Sequence, residues 1–429
     1  MNLFITLTGC CVRGRSRLCF EGFEQHMNST VCLQQCEDYQ FERVLSAVRA
    51  CVTALGGMAA FVKPGQRVLV KPNLLMAIAP EAAVTTHPAV LDAVLTLVGE
   101  AGGIPSVGDS PGMGELPHIV KVCGVQAVLD KHGVPLADFT SEHTFTCEDN
   151  VIGKRIALAR ALADADVYIT IPKLKTHVQM VLTCAVKNQY GLIPGVRKGQ
   201  YHLRLSGRDA LAELLIDINR IAKPVLGIVD AIDAMEGDGP SGGTPHRLGL
   251  LMASADVMAL DVVACELIGL DPGQVPSIQA GRRRGYGAAA RDAIEVIGPP
   301  IASLRAQQFR LVEHTKDIAS ILPLPEFMLA WVRRQWAPRP RIVATACIRC
   351  FACRKGCPVS PPAIDPARPR RMQVNDRTCI RCYCCHEFCP AHAIVLKRTW
   401  LAHVISFSQV FDWCARKLHR VVRWIIHRM

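Results

Sequence analysis

Arg67-Val-Leu-Val-Lys-Pro-Asn73 is the stretch from which the fold is read. It reads as a buried strand that closes in polar residues. Thr86 then caps a helix with Pro88 in its first turn and Val90, Val94, Leu97 and Val98 at helical spacing. Gly102-Gly103 stops that helix, and Ile104 to Gly108 is the next strand, ending in Asp109-Ser-Pro-Gly112. A second pair follows downstream: Ala165 to Ile171 as strand, ending in Pro172-Lys-Leu-Lys-Thr-His177. Further on come a helix at Asp209 to Ile221, a strand at Val225 to Val229 and a turn-rich run from Glu236 to Gly243. Leu248 to Ala253 reads as strand and Val257 to Ile268 as helix. Strands alternating with helices predict an α/β body over 27–325 with a largely parallel sheet.

In such sheets ligands bind beyond the carboxyl ends of the strands. The polar residues fall at those ends: Lys71 and Asn73, Asp109 and Ser110, Lys173, Lys175 and His177, then Asp230. Lys187-Asn188, Lys198 and His202 read as part of the Gly-rich loop after the second group. Together Lys71, Asp109, Lys173, Lys175, His177, Lys187 and His202 are expected to converge on one crevice. Lysines, histidines and Gly-rich turns suit a small anionic ligand, because ammonium groups and backbone N–H groups both favour negative charge. Asp109, Asp230, Asp256 and Asp261 could hold a hard cation, although the last two could equally cap and solubilise the helix they begin. Gly108-Asp-Ser-Pro-Gly112 is not a Walker loop, no dinucleotide fingerprint is present, and no nucleophile–base pair can be assigned from spacing.

The 429 residues suggest two or three domains, and 50% hydrophobic content supplies ample core. The net charge of +12 is unevenly spread. From Trp331 onward 19 Lys and Arg stand against 4 Asp and Glu, whereas residues 1–330 are slightly acidic. The basic C-terminal third favours an acidic redox partner protein or an anionic membrane. Nothing suits base-specific reading of nucleic acid. No segment reads as a spanning helix, because the most apolar window, Leu248 to Leu270, is interrupted by Asp256, Asp261 and Glu266. Residues 1–26 are rich in Cys and Arg and lack periodicity. They read as lying outside the fold, with Met27 as the expected start, and Leu7-Thr8-Gly9-Cys10 is a poor lipoprotein site because its apolar run is too short.

Eight of the 20 cysteines form a separate pattern. Cys347-Ile-Arg-Cys350-Phe-Ala-Cys353-Arg-Lys-Gly-Cys357-Pro358 is repeated as Cys379-Ile-Arg-Cys382-Tyr-Cys-Cys385-His-Glu-Phe-Cys389-Pro390, with seven of twelve positions identical. This is the bacterial spacing for two [4Fe-4S] clusters, in which the fourth cysteine of each run serves the other cluster. Cys347, Cys350, Cys353 and Cys389 are therefore expected on cluster one, and Cys379, Cys382, Cys385 and Cys357 on cluster two. CxxC pairs also hold zinc, but two complete runs with trailing prolines favour iron and sulfide. A small α+β dicluster ferredoxin domain is expected over 346–398, after a linker over 326–345. Thiolate ligation needs a reducing compartment, so the expected location is cytoplasmic. Cys384 is off register and reads as a packing residue, and Cys123, Cys184 and Cys265 read as buried small hydrophobes.

The chain also resembles a known family, domain of unknown function 362, and in particular its ferredoxin-fused members. The resemblance lies in Val68-Leu-Val-Lys-Pro-Asn-Leu74, Thr86-His-Pro88, Gly108-Asp-Ser-Pro-Gly112, Ile171-Pro-Lys-Leu-Lys-Thr-His177, Lys187-Asn188, Met235-Glu-Gly-Asp-Gly-Pro240 and the second cysteine run. It spans about residues 30–400 and implies a redox-linked protein with no established common reaction. Pro361-Pro362 departs from the pattern as a two-residue insertion after the first run.

Two function classes follow. One is an oxidoreductase whose body binds a small anion while the clusters feed or remove electrons. The other is an electron carrier or scaffold that docks a redox partner. Trp400 to Met429 has no Gly or Pro and places Trp400, Val404, Phe407, Phe411, Leu418, Val422 and Ile425 near one helical face. With Arg416, Lys417, Arg420, Arg423 and Arg428 it is expected as a basic amphipathic helix over 399–429. Such a helix either contacts the inner face of a membrane or packs on the body. Arg333-Arg334 and Trp336 could add a second membrane contact.

Overall fold

The computed structural model describes residues 29–195, 197–205, 207–312, 337–368 and 371–397. The N-terminal stretch with Met27, residues 326–336 of the expected linker with Trp331, Arg333, Arg334 and Trp336, and the expected C-terminal helix all lie outside the described residues. The chain divides into two compact units, Met1–Leu311 and Val312–Met429.

Alternation along the strands explains the first unit. In β2 (Arg67–Pro72), Val68 and Val70 belong to one core and Leu69 to another. In β6 (Val167–Ile171), Val167, Ile169 and Ile171 join the first core and Tyr168 the second. Successive side chains point to opposite faces of a strand, so a sheet apolar on both faces must be covered on both. Helices Phe41–Ala54 and Pro88–Glu100 fill one side, and helices Arg208–Ala222, Val257–Leu267 and Pro276–Arg284 fill the other. The result is a three-layer α/β body.

The main strand order is β11-β1-β10-β9-β6-β2-β3, where β1 is Ser29–Gln35, β3 is Ile104–Val107, β9 is Leu226–Glu236, β10 is Thr244–Ser254 and β11 is Ile294–Ile297. β3, β2, β6 and β9 are mutually parallel. β10 is antiparallel to both β9 and β1, so the sheet is mixed rather than uniformly parallel. The reason is the turn-rich run after Glu236, which returns the chain directly as a hairpin and needs no helical crossover. A small ribbon of β4 (Glu142–Thr146) and β5 (Arg155–Ala159) stands apart.

Three local expectations are corrected. The helix at Pro88 is capped by His87, whose side chain accepts from the Ala89 N–H. Thr86 instead accepts from Asn73 N–H and donates to the Ile171 carbonyl. The Lys173–His177 stretch is not a loop but a continuation of the sheet: it forms β7, parallel to β9 and antiparallel to β8 (Val181–Thr183). Pro172 lacks an N–H, yet its carbonyl accepts from Asp230 N–H, so the ribbon bends without leaving β9. Lys187 and Asn188 sit on a short helix, Ala185–Asn188, and Lys198 and His202 on helix Arg197–Arg204, not in a loop.

The second unit pairs β12 (Arg339–Ile342) with β15 (Ile394–Lys397) and β13 (Ile364–Arg368) with β14 (Arg371–Val374). β12 falls in the stretch read as linker. One short helix carries each run's third cysteine, Cys353 in Ala352–Lys355 and Cys385 in Cys384–Glu387. The small core is Cys353, Ile364, Cys385, Cys389, Ala393 and Ile394. Cys384 is buried as a packing residue and exchanges a thiol hydrogen bond with Cys382. Cys123, Cys184 and Cys265 are fully buried. Among the described residues no helix is long and apolar enough to cross a membrane.

Asp261 neither solubilises nor caps its helix. It is buried and accepts from the N–H groups of Ala185 at 2.7 Å and Val186 at 3.3 Å, anchoring the helix that carries Lys187 and Asn188. Burial pushes its carboxyl up to about 7, against the pull of those two N–H groups. The raised value makes the protonated form the favoured one in the fold. Its contribution to stability is therefore complete below the unfolded carboxyl range near 4 and is lost as pH rises to about 7. Asp261→Asn should remove that slope, up to roughly 1.4 kcal/mol per pH unit, from urea-unfolding curves measured between pH 4 and 7. Identical slopes in both proteins would show that the carboxyl stays ionised.

Candidate functional site

The carboxyl ends of β2, β3 and β6 bring together residues far apart in sequence. Lys71, at the end of β2, is fully buried, and its Nζ lies 2.8 Å from Asp109 Oδ1. Burial lowers the Lys71 pKa, and the Asp109 carboxylate pulls it back. Asp109 also accepts from Leu74 N–H at 2.7 Å. Gly191 is required here, because a Cβ would fall 2.1 Å from Asp109 Oδ1 and 2.5 Å from Lys71 Nζ.

A chain of amides links this pair to Lys175. Asn188 Oδ1 accepts from Lys71 Nζ and Asn73 Nδ2, each at 3.3 Å, while Asn188 Nδ2 donates to Thr170 Oγ1. Lys175 Nζ donates to Asn73 Oδ1 at 2.9 Å and to the Val84 carbonyl at 2.7 Å. Lys71, Asn73, Asp109, Lys175 and Asn188 thus form one network. Lys198 reaches it from helix Arg197–Arg204, donating to the Ser110 and Pro111 carbonyls. Burial brings its ammonium down to about 7; Asp109 opposes the shift, and Lys71 and Lys187 deepen it. Three ammonium groups within electrostatic reach of one carboxylate leave an excess of positive charge. Lys187 and Lys198 are half-buried as residues, whereas Lys71 and Lys175 are shut away.

A second cluster surrounds Asp230. Lys173 Nζ lies 2.9 Å from Asp230 Oδ2 and donates to Tyr39 Oη at 2.9 Å. Tyr39 Oη donates to Asp230 Oδ1 and also accepts from Asp233 N–H. His87 stacks on the Tyr39 ring at 3.6 Å, and its backbone N–H donates to Asp230 Oδ2. Burial holds the His87 imidazole down at about 4 and raises the Tyr39 phenol well above its usual range. Tyr39 and His87 were not legible as site residues, since a lone Tyr and a helix cap carry no spacing signal.

The remaining candidates fall elsewhere. His177 is buried, and its Nδ1 accepts from Gln179 and Met180 N–H, so it shapes the β7–β8 turn. The His202 side chain lies outside the described residues. The four aspartates considered for a hard cation do not converge: Asp109 and Asp230 pair with different lysines, Asp256 caps helix Val257–Leu267, and Asp261 anchors a different helix. Lys71, Lys173 and Lys175 are closed off by their partners, so they form a buried floor rather than the walls of an open crevice.

The cysteine runs make a second candidate centre. Cys353 has the thiols of Cys389, Cys347 and Cys350 as neighbours, and these four line one recess with Ile342, Phe351 and Met372. Cys385 has Cys382, Cys379 and Cys357 around it. Both runs share a left-handed backbone at matching positions: Arg349 and Phe351 at φ 54° and 59°, Arg381 and Tyr383 at φ 59° and 61°. Non-glycine residues adopt that conformation at a cost, and repeated use of it curls successive N–H groups around a concavity suited to an anionic centre. The fourth cysteine of each run accepts an N–H: Cys357 Sγ from Ala363 at 3.4 Å, and Cys389 Sγ from Ala393 at 3.2 Å. Thiolate donors in fours with N–H groups aimed at sulfur fit an iron–sulfur cluster. Among the described residues no three His, Cys, Asp or Glu side chains form a ready site for a single metal ion.

Comparison with known proteins bears on the body. A family model described as Domain of unknown function (DUF362) matches residues 68–266. Thylakoid-associated protein sll1697 of Synechocystis sp. (strain ATCC 27184 / PCC 6803 / Kazusa) is 39% identical over 268 residues, covering 62% of this chain and 83% of that relative. The lactate racemase apoprotein from Thermoanaerobacterium thermosaccharolyticum aligns at a TM-score of 0.35 and 11% identity, over 56% of this chain and 57% of its own length. A Thermotoga maritima protein aligns at 0.32 and 13% identity, over 49% of this chain and 55% of its own. Structural likenesses that slight carry no argument about function. The sequence matches do place the chain: it belongs to the family described as Domain of unknown function (DUF362).

Proposed function

We propose that this chain is an iron–sulfur electron-transfer protein, an oxidoreductase whose α/β body binds a small anion and exchanges electrons with two [4Fe-4S] clusters. The observation that carries the reading is the duplicated run, in which eight thiols, the left-handed backbone positions and the N–H to sulfur bonds recur in step. Cys347, Cys350, Cys353 and Cys389 would hold one cluster and Cys379, Cys382, Cys385 and Cys357 the other. Such clusters, when bound, supply one-electron relay at a potential set by charge, sulfur hydrogen bonds and exposure. Anaerobically isolated protein should contain about eight iron atoms per chain, as two four-iron clusters require. Cys357→Ser should remove about half of that iron and leave the group around Cys353 loaded. Zinc at about two per chain with little iron would overturn the assignment.

In the body, Lys71, Lys187 and Lys198 supply charge for an anion, and Asn73 and Asn188 supply oriented amides. The partly exposed Lys198, held only by carbonyls, is the group that an incoming anion would recruit. Its ammonium must be protonated to do so, so affinity should fall as pH rises through about 7. Thermal-shift titrations with inorganic phosphate and with mono- and dicarboxylates should show stabilisation by at least one of them at pH 6. Lys198→Ala should weaken that ligand about tenfold, the scale of one lost charge-assisted hydrogen bond. Absence of any anion effect across pH 6 to 8 would favour the second reading, a carrier or scaffold that docks a redox partner. The closed, internally paired state of Lys71, Lys173 and Lys175 is the observation on that side.

The name of the relative associates that protein with thylakoids. For this chain we carry over only a setting at a membrane surface, served by the basic sequence from Trp400 to Met429. In fractionated cells at low salt, full-length protein should sediment with membranes and a version ending at Arg398 should not. Equal partition of the two would assign the tail to packing on the chain itself.

A further inference from the structure

The two cysteine runs are copies in sequence, but their surroundings differ. In the second run Tyr383 is 5% exposed, and Cys379 and Cys385 are buried. The segment before β12 covers it: the Pro338 carbonyl accepts from Arg381 Nη1 at 3.2 Å and from Tyr383 Oη at 3.1 Å. Asp376 then bridges Arg381, at 3.3 Å, to Arg339, at 3.1 Å. The matching positions of the first run have no such cover among the described residues. Ile348 is 66% exposed, Phe351 is 41% exposed, and Cys350 is exposed. Arg349, the counterpart of the half-buried Arg381, is exposed and makes no ion pair among the described residues.

Exposed apolar residues beside a candidate cluster need an explanation, because a small unit gains stability by burying them. The charge around them supplies one. Arg349, Arg354 and Lys355 flank Ile348 and Phe351, and no Asp or Glu occurs between Cys347 and Pro362. Next to them lies an open concavity of about 630 Å³, lined by Phe351, Arg354, Lys355, Cys357, Pro358 and Val359. It touches both the loop of the first group and a thiol of the second. An apolar centre with a rim of one charge sign is the pattern of a transient protein interface, in which the charge steers encounter and the apolar centre seats the partner.

We propose that Ile348, Arg349, Phe351, Arg354 and Lys355 form the docking surface for an acidic one-electron carrier protein, so that electrons pass through the group of Cys347, Cys350, Cys353 and Cys389. This rests on the iron–sulfur reading above. In each productive encounter one electron leaves the reduced carrier, which is oxidised by one, and the chain is reduced by one; no bond is made and no proton moves. The reverse encounter balances in the same way. Electron transfer falls steeply with separation, and the second run lies behind Pro338, Arg339 and Asp376. The exposed run is therefore the one that a carrier can approach.

The test uses the full chain, isolated anaerobically, with a plant-type [2Fe-2S] ferredoxin as the acidic carrier, in stopped flow in the exergonic direction. Wild-type exchange should slow as salt is raised, since opposite charges steer the encounter. The charge reversal Arg349→Glu, Arg354→Glu, Lys355→Glu should lower the second-order rate about tenfold or more at low salt. Arg341→Glu is the control: its side chain points away from the Ile342 side of β12, and its rate should match wild type. Iron content and reduction by methyl viologen should stay unchanged in both. Equal rates in the reversal and the control, with full iron, would overturn the docking surface and leave the iron–sulfur reading standing. A rate insensitive to salt in wild type would do the same without relying on any variant. Retained exchange with ferredoxin but lost binding to vesicles of anionic phospholipid would reassign the face to a membrane. Wild-type protein without iron would overturn the iron–sulfur reading itself, which the iron count separates from failure of the surface.

Discussion

Lys71 and Asp109, 2.8 Å apart and shut away from solvent, set the terms for everything at the carboxyl ends of the strands. A buried ion pair costs several kcal/mol per ion in lost hydration and holds only when the remaining lone pairs and protons find partners. Each nearby feature supplies one of those partners or makes room for one. Leu74 gives its N–H to Asp109, Asn188 gives its carbonyl to Lys71, and Gly191 brings backbone to a distance that a methyl group would forbid. The segments after β2 and β3 and the helix that carries Asn188 are distant in sequence, and this pair is what makes their positions interdependent. Breaking one partner would strand the other charge, typically at a cost of about 3–5 kcal/mol.

The Lys173–Asp230 pair obeys the same rule with a different solution. Its carboxylate takes up the Tyr39 hydroxyl and the His87 N–H, and the stacked rings of Tyr39 and His87 close the top. Tyr39 lies just after β1 and His87 at the head of a helix, so this second cluster ties the side of the sheet that contains the antiparallel strand β10 to its parallel centre. Asn73 and Thr86 connect the two pairs through the β2 exit. The body is therefore organised around two desolvated pairs, with the half-buried residues Lys187 and Lys198 beside the first of them.

The legible parts of the fold are those that periodicity governs. β2, β6 and helices Pro88–Glu100 and Arg208–Ala222 were readable because an apolar alternation or a helical stripe must match a face to be buried. β7 was not, since Lys173-Leu-Lys-Thr-His177 looks like a polar exit loop after a proline. Its lysines are buried only because Asp230 and Asn73 wait across the sheet, a fact that no local window contains. For the same reason neither the place of His177 at the end of β7 nor its use as a turn acceptor could be read, and Tyr39 could not be singled out at all. The converging lysines were visible as a set because they share one topological address, the strand ends. Their closure was invisible because it depends on pairings between residues far apart in the chain.

The second unit shows the opposite balance, with local spacing carrying nearly all the information. Its core is a handful of side chains, three of them cysteines, which is little apolar surface for a domain of that size. Units this small commonly draw their stability from a metal centre, where ligand binding and folding are one equilibrium. The Pro361-Pro362 insertion fits that view. Ala363 lies two residues further from Cys357 than Ala393 lies from Cys389, yet both alanines deliver an N–H to the sulfur of the fourth cysteine. The chain absorbs the extra length in the loop and restores the contact at the thiol. A constraint that survives an insertion while the loop around it changes belongs to the sulfur, and the hydrogen bond at each fourth cysteine is the feature around which this unit is built.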